Sequence, residues 1–162
     1  MFKETGIVTR EMFEECLPDK ERRSKGPYVI FECFQEIPCN PCQTSCRFGA
    51  VLPMADINER PAADREKCTG CGVCVSRCPG LAAFVIDETF SQDRITIKLP
   101  YELIPLPAKG EIVDALDREG NAVGEAEVLA VLSGKSVDRT NIITIAVSKD
   151  LLYDVRNIRV RR

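Results

Sequence analysis

Nine cysteines are the residues of this chain with the clearest capacity for chemistry, and histidine is absent. They are Cys16, Cys33, Cys39, Cys42, Cys46, Cys68, Cys71, Cys74 and Cys78. Crowded thiolates bind zinc or iron–sulfur clusters, or they pair as disulfides. An odd number cannot pair completely, and the lack of histidine excludes every metal site that needs an imidazole ligand. The composition therefore favours metal held by thiolates alone.

The four cysteines of residues 68–78 have an informative spacing, C-x2-C-x2-C-x3-C, which a proline follows. Zinc sites with four thiolates usually combine two separated C-x2-C pairs instead. With the spacing found here, the first three cysteines hold one cube-shaped 4Fe–4S cluster and the fourth contributes to a second one. The segment therefore predicts two clusters. It also requires a second run of cysteines, whose last cysteine binds the cluster held by the first three cysteines of residues 68–78.

A matching run lies upstream in CFQEIPCNPCQTSC, residues 33–46. Its last three cysteines repeat the second to fourth positions of the pattern, but five residues rather than two separate Cys33 from Cys39. We therefore assign one cluster to Cys33, Cys39, Cys42 and Cys78, and the other to Cys68, Cys71, Cys74 and Cys46. The alternative for Cys33 is a free thiol, with a three-iron cluster or another ligand in its place. Cys16 is predicted to be a small buried apolar residue.

The elements that must position these ligands form a repeated pattern in residues 28–91. A strand, YVIFEC, leads into the first run, and two short apolar strands, FGAVL and LAAFVI, follow the two runs at equivalent positions. This internal repeat predicts a pseudo-twofold, dicluster ferredoxin-like domain. Residues 1–27 form a lead-in that contains a short helix with Thr9 as its N-cap.

Beyond residue 91 the cysteines stop and β-branched residues become frequent. Five segments, RITIKLP, EIVDAL, EVLAVL, NIITIAV and VRNIRV, have the pattern of strands separated by turns. Short strands at such intervals predict a small antiparallel β-barrel or sandwich domain over residues 92–162. The whole chain is therefore predicted to be an α+β protein, with the dicluster domain first and the all-β domain second.

The net charge of −3 gives no electrostatic reason to expect nucleic acid or an anionic membrane as a partner. No apolar run is long enough for membrane insertion, and the first 15 residues lack the apolar core of a signal peptide. We therefore expect a cytoplasmic protein. No converging acid, base and nucleophile are visible, so no catalytic residue is predicted, and a complete reductase is the least supported interpretation.

The runs ECFQEIPCNPCQTSC and KCTGCGVCVSRCPGLAAFVID, together with LPYELIPLP, resemble the small iron–sulfur subunits of FAD-dependent amino-acid dehydrogenases from anaerobic bacteria and archaea. Those complexes include hydroxyproline, proline and opine dehydrogenases. The resemblance implies a hetero-oligomer in which this subunit relays electrons between the FAD of a flavoprotein and an external acceptor. The alternatives are a free-standing ferredoxin and, from another class, a zinc-structured interaction module.

Overall fold

The structure, a computed structural model, describes residues 2–161 and combines short helices with one large sheet. Residues 1 and 162, the outer ends of the first and last predicted segments, lie outside the described part. The helices are α1 (Phe2–Thr5), α2 (Arg10–Cys16), α3 (Lys20–Arg23), α4 (Pro41–Thr44) and α5 (Val73–Arg77). The strands are β1 (Tyr28–Phe31), β2 (Ala83–Asp87), β3 (Arg94–Tyr101), β4 (Ile112–Leu116), β5 (Ala122–Leu132), β6 (Asn141–Ser148) and β7 (Asn157–Arg159). The predicted mixture of helices and strands is confirmed.

The seven strands form a single antiparallel sheet in the order β1-β2-β3-β6-β5-β4-β7. β2 pairs with β3 through Val85 opposite Lys98 and Ile86 opposite Ile97. The strands of the cysteine-rich half and those of the C-terminal half therefore share one sheet. All five strands predicted beyond residue 91 are present, but they do not form a sheet apart from β1 and β2. The division into separate domains stays a prediction.

β1 and β2 are buried on both faces, which explains why their sequences are apolar without alternation. Successive side chains of a strand point to opposite faces. Tyr28 and Ile30 therefore enter the main core of the sheet, whereas Val29 and Phe31 enter a second core beside the cysteines. These two strands form the wall between the sheet core and the cysteine loops.

Helix α2 packs on the main core as the sequence predicts. The Thr9 side chain accepts a hydrogen bond from the backbone N–H of Met12 at 3.3 Å, which confirms its role as N-cap. Phe13 and Cys16 are buried on the inner face of the helix. The Cys16 thiol donates to the Phe31 carbonyl at 3.2 Å, so the prediction of a small buried residue at this position is confirmed.

A buried ion cluster joins the two ends of the strand order. Glu32 directly follows β1, and its carboxylate accepts hydrogen bonds from Arg118 and Arg156, each at 2.6 Å. Arg118 lies after β4, and Arg156 lies just before β7. The exposed fraction of the side chain is 6% for Glu32, 11% for Arg118 and 4% for Arg156. The sheet is therefore curled so that the chain beside its first strand meets the chain beside its last.

One predicted strand is wrong. Residues 48–52, FGAVL, contain only an isolated bridge between Val51 and Ala63 and belong to no strand. The reason is that the backbone of residues 48–51 hydrogen-bonds to the Cys46 sulfur instead of to a neighbouring strand, while Val51 packs in the core beside the cysteines. The expected repeat of strands is thus incomplete, although α4 and α5 occupy equivalent positions in the two runs. Across residues 2–161, no helix combines the length and apolar character that crossing a lipid bilayer requires.

Candidate metal centres

Two cavities in the cysteine-rich half are each lined by four cysteines. Cavity A is lined by Cys33, Cys39, Cys42 and Cys78, and cavity B by Cys46, Cys68, Cys71 and Cys74. These are the two sets that the spacing predicts. The structure therefore brings together all eight cysteines assigned as ligands, including Cys33, and leaves Cys16 in the main core. Ligation of metal by the two sets stays a prediction.

Cavity A is built from the ends of secondary-structure elements. Cys33 lies two residues after β1, Cys42 lies on α4, and Cys78 is the C-cap residue of α5. The backbone N–H of Cys39 donates to the Ile57 carbonyl at 3.1 Å, which anchors the end of the wide loop after Cys33. This anchoring brings the first cysteine of the irregular run to the same cavity as the others.

Cavity B surrounds the start of α5. Cys74 lies on α5 and is buried, whereas Cys71, in the loop before the helix, is exposed to solvent. Cys68 begins the same loop, and Cys46 lies two residues after the end of α4. This cavity therefore has one ligand candidate at the molecular surface.

The exchange of the last cysteine between the runs follows from the shortness of α4 and α5, which contact each other. Residues four apart on a helix face the same side. Cys42 and Cys46 would therefore point to one cavity if α4 continued, but the helix ends at Thr44. In the same way α5 ends at Arg77, before Cys78. The fourth cysteine of each run thus lies outside its helix and turns to the other cavity.

Two glycines shape the loop of cavity B. Gly70 and Gly72 have φ angles of +70° and +88°, a region that L residues with side chains rarely adopt. A Cβ atom on Gly70 would lie 2.5 Å from the Cβ of Pro27, which is closer than van der Waals contact allows. The loop can therefore follow this path only with glycine at residue 70.

Backbone N–H groups point at sulfurs of both sets. The N–H of Ala82 donates to the Cys78 sulfur at 3.3 Å. Burial alone would raise the pKa of the Cys46 thiol, but hydrogen bonds from the backbone of residues 48–51 outweigh it and lower the pKa. Such N–H···S bonds stabilise a negative sulfur and the iron–sulfur cluster bound to it. The segment FGAVL therefore supplies hydrogen-bond donors where the sequence predicts a strand.

The thiols deepest in the two cavities require a positive partner to ionise. Burial, with a smaller contribution from neighbouring cysteines, raises the pKa of Cys42 to about 11 and that of Cys74 to about 12. Metal ligation removes this cost, because a bound cation favours the thiolate over the thiol. Four soft donors, backbone N–H groups aimed at sulfur and an apolar lining together fit a 4Fe–4S cluster in each cavity.

All nine cysteines, each of which lies within the described residues, are free of disulfides. No three histidine, cysteine, aspartate or glutamate side chains within residues 2–161 converge closely enough to hold a single metal ion. In a cubane cluster each cysteine binds a different iron atom, so its four sulfurs are spaced more widely than the ligands of one zinc ion.

Sequence analysis missed the cations around cavity B. The Arg22 guanidinium is buried and donates to the carbonyl of Cys68 at 3.2 Å. The Lys98 ammonium, on β3, donates to the carbonyl of Gly70 at 2.6 Å. Arg22 belongs to the charged segment PDKERRSKG, which is typical of a solvated surface, and nothing in the local pattern distinguishes it from Arg23. Only the tertiary structure shows that it turns inward.

Comparison with known proteins identifies the class of site. The 4Fe-4S binding domain family (Fer4) matches residues 61–83, which contain all four cysteines of the second run. This part of the chain is therefore a 4Fe-4S binding domain, and the expectation of iron–sulfur chemistry is confirmed. The match covers one run, so the second cluster stays a prediction.

Curated relatives extend the similarity beyond this segment. Protein Pixie of Drosophila melanogaster is 27% identical over 104 residues, 58% of this chain and 17% of its own length. The Arabidopsis thaliana ABC transporter E family member 1 is 28% identical over 131 residues, 75% of this chain and 19% of its own. The Schizosaccharomyces pombe translation initiation factor rli1 is 29% identical over 114 residues, which are 64% of this chain and 18% of its own length. The chain thus matches less than one fifth of the length of these relatives, and no solved structure matches it.

Proposed function

We propose that this protein transfers electrons on two 4Fe–4S clusters, one in cavity A and one in cavity B. The observation that carries the proposal is that each cavity is lined by four cysteines, in the two sets that a dicluster spacing predicts. The 4Fe-4S domain at residues 61–83 supports the same chemistry. When bound, each cluster accepts and returns one electron.

The residues of the chain perform three tasks in this function. The thiolates hold iron, the backbone N–H groups at Cys46 and Cys78 stabilise negative charge on sulfur, and the apolar lining limits the access of water. The contact between α4 and α5 brings the two sets near each other, since the Cys42 thiol is among the charges that raise the pKa of Cys74. Adjacent centres suit passage of an electron from one cavity to the other.

The partner we propose is an FAD-containing dehydrogenase in a hetero-oligomer, on the basis of the resemblance to iron–sulfur subunits alone. The relatives found by comparison carry other names, those of an ABC transporter and of a translation initiation factor. A free-standing ferredoxin is the alternative that needs no partner subunit. A cytoplasmic location suits any of these roles, since thiols stay reduced there, in keeping with nine free cysteines.

Anaerobic purification followed by metal analysis tests the cofactor. We expect a brown protein with about eight iron and eight sulfide per chain, as two cubane clusters require. Electron paramagnetic resonance after reduction with dithionite should show reduced 4Fe–4S clusters. A colourless protein with stoichiometric zinc and no iron would instead establish the zinc-structured module and overturn the proposal.

Purification from native cells at the endogenous level tests the partner. Constant co-elution with a flavoprotein that contains FAD supports the dehydrogenase subunit. Elution alone, at the mass of one 18.0 kDa chain, supports the free-standing carrier. Co-elution with an ATP-binding subunit would contradict both and link the chain to the ABC-type relatives.

A further inference from the structure

The two cavities differ in the positive charges that surround them. At cavity B the Arg22 guanidinium is fixed by four hydrogen bonds to carbonyl groups, including those of Pro27 at 2.7 Å and Cys68 at 3.2 Å. The carboxylate of Glu66 lies 4.0 Å away, and its side chain is 64% exposed. A buried cation whose nearby carboxylate is in solvent keeps most of its field inside the protein.

Two further cations approach the same loop. The Lys98 ammonium donates at 2.6 Å to the carbonyl of Gly70, which directly precedes Cys71. The Arg65 guanidinium donates to the Cys16 carbonyl at 2.7 Å and also, at 3.4 Å, to the carbonyl of Val29, a residue that lines cavity B. Three cationic side chains therefore flank cavity B, and they come from the lead-in, the segment between the runs and the sheet.

Cavity A has a different set of charges. Glu59 is among its lining residues, and Arg60 beside it stacks on the Phe34 ring at 4.8 Å and acts on the Cys33 thiol, but both charged residues are exposed, so water screens them. Arg118 and Arg156 are both bound to the carboxylate of Glu32, the residue before Cys33. Among the described residues, the hydrogen bonds to the backbone carbonyls of residues 33–42 come from hydroxyl and backbone donors rather than from cations.

Positive charge near an iron–sulfur cluster favours its reduced state, because reduction adds an electron to a centre that is already negative. The effect is larger for buried cations than for exposed ones, since water screens the latter. The fixed environment of cavity B therefore stabilises an added electron more than that of cavity A.

We propose that the cluster of cavity B has the more positive reduction potential, and that Arg22, together with Lys98, is a positioning and charge-setting residue for it. Electrons that enter the chain then collect at cavity B. This inference rests on the proposed function, because it requires both clusters.

A potentiometric titration of the anaerobic holoprotein, followed by electron paramagnetic resonance, tests the order. Two one-electron steps are expected. Cys71→Ala should remove the more positive step, and Cys39→Ala the more negative one. The reverse assignment, or two coincident steps, would overturn the inference while leaving the proposed function intact. Failure of the protein to bind any cluster would overturn both.

Charge variants test the role of Arg22. Arg22→Gln should lower the potential of the more positive step by about 59 mV. For one electron, that shift equals a tenfold decrease in the ratio of reduced to oxidised cluster at a given potential. Arg22→Lys should restore most of the potential, because it keeps the charge without the full set of hydrogen bonds. Lys98→Met, on a strand, gives a second variant with a shift in the same direction.

The matched control is Arg23→Gln, one residue along the same helix. The Arg23 guanidinium donates to Glu88 at 2.6 and 2.8 Å, away from both cavities. Its loss should lower stability without moving either potential. Unchanged potentials in both Arg22→Gln and Lys98→Met, or an equal shift in Arg23→Gln, would contradict the role assigned to Arg22.

Discussion

Cys46 and Cys78 are the residues at which the two cysteine runs depend on each other. Each lies just beyond the end of the short helix in its own run, and each lines the cavity of the other run. A substitution of Cys46 or Cys78 therefore affects the cavity that is lined by the three other cysteines of the opposite run.

The exchange predicts a crossed pattern of cluster loss. Cys78→Ala should remove the cluster at Cys39 and Cys42, and Cys46→Ala the one at Cys68, Cys71 and Cys74, each lowering iron and sulfide by about half. Cys16→Ala, in the main core, is the control and should keep both clusters. Iron analysis and electron paramagnetic resonance of each variant make the measurement. Loss of the cluster within the mutated run would show that the ligand sets are wrong.

Gly70 predicts a second effect at the residue scale. Gly70→Ala forces a positive φ on alanine and brings its Cβ to 2.5 Å from Pro27, so we expect a loss of about 1–3 kcal/mol in unfolding free energy. Gly80→Ala is the matched control, since its Cβ would meet no atom within 4 Å and its φ is not positive. Urea unfolding of the two variants is the measurement, and equal stabilities would contradict the steric argument.

Spacing alone was sufficient to predict the eight cysteines that line the cavities, because an iron–sulfur cluster imposes its geometry on a short local segment. The cations around cavity B could not be predicted in that way. Arg22 is separated from Cys68 by 46 residues, and Lys98 reaches Gly70 across 28. Contacts at such separations depend on the tertiary fold, and a single sequence contains no local signal for them.

At the scale of elements, β-branched segments predict the C-terminal strands well, since each of these strands buries apolar residues in a core. The sequence does not show which strand lies beside which. β3 pairs with β2 on one side and with β6, more than 40 residues later, on the other. FGAVL does not form a strand, since Val51 is buried beside the cysteines and the backbone of residues 48–51 hydrogen-bonds to the Cys46 sulfur rather than to a neighbouring strand.

Substitution of Glu32 tests how much the buried ion cluster between the ends of the sheet contributes to stability. Glu32→Gln leaves two buried guanidinium groups without a counter-charge, and we expect it to cost about 3–5 kcal/mol of unfolding free energy. Glu127→Gln is the control, because its pair with Arg94 is partly exposed and should contribute less than about 1 kcal/mol. Urea unfolding compares the two. Similar losses for both variants would show that the buried cluster does not hold the sheet ends together.

At the scale of the whole molecule, residues 2–161 form two hydrophobic cores that differ in their content of predicted metal ligands. The core inside the sheet contains none of the eight predicted ligands, whereas the second core includes Cys42 and Cys74 among its buried members and packs against Cys33, Cys46, Cys68 and Cys78. β1 and β2 contribute side chains to both. The sheet can therefore retain its packing when the cysteine loops lose theirs.

Removal of iron should accordingly unfold one part of the molecule first. After treatment with a chelator and a mild oxidant, we expect amide hydrogens of residues 33–82 to exchange faster, while β3 and β6 at the centre of the sheet stay protected. Hydrogen exchange followed by mass spectrometry measures both regions in one experiment. The untreated holoprotein is the reference. Loss of protection throughout the sheet would show that the clusters hold the entire fold.

The bond between Glu32 and Arg156 also sets an order of events during synthesis. The ribosome adds the last of the eight predicted ligands at residue 78, and it adds Arg156 a further 78 residues later. At about 5–20 residues per second, this interval lasts roughly 4–16 s. During it the cysteine loops exist without the last strand, so iron and sulfide can reach them before the sheet is complete.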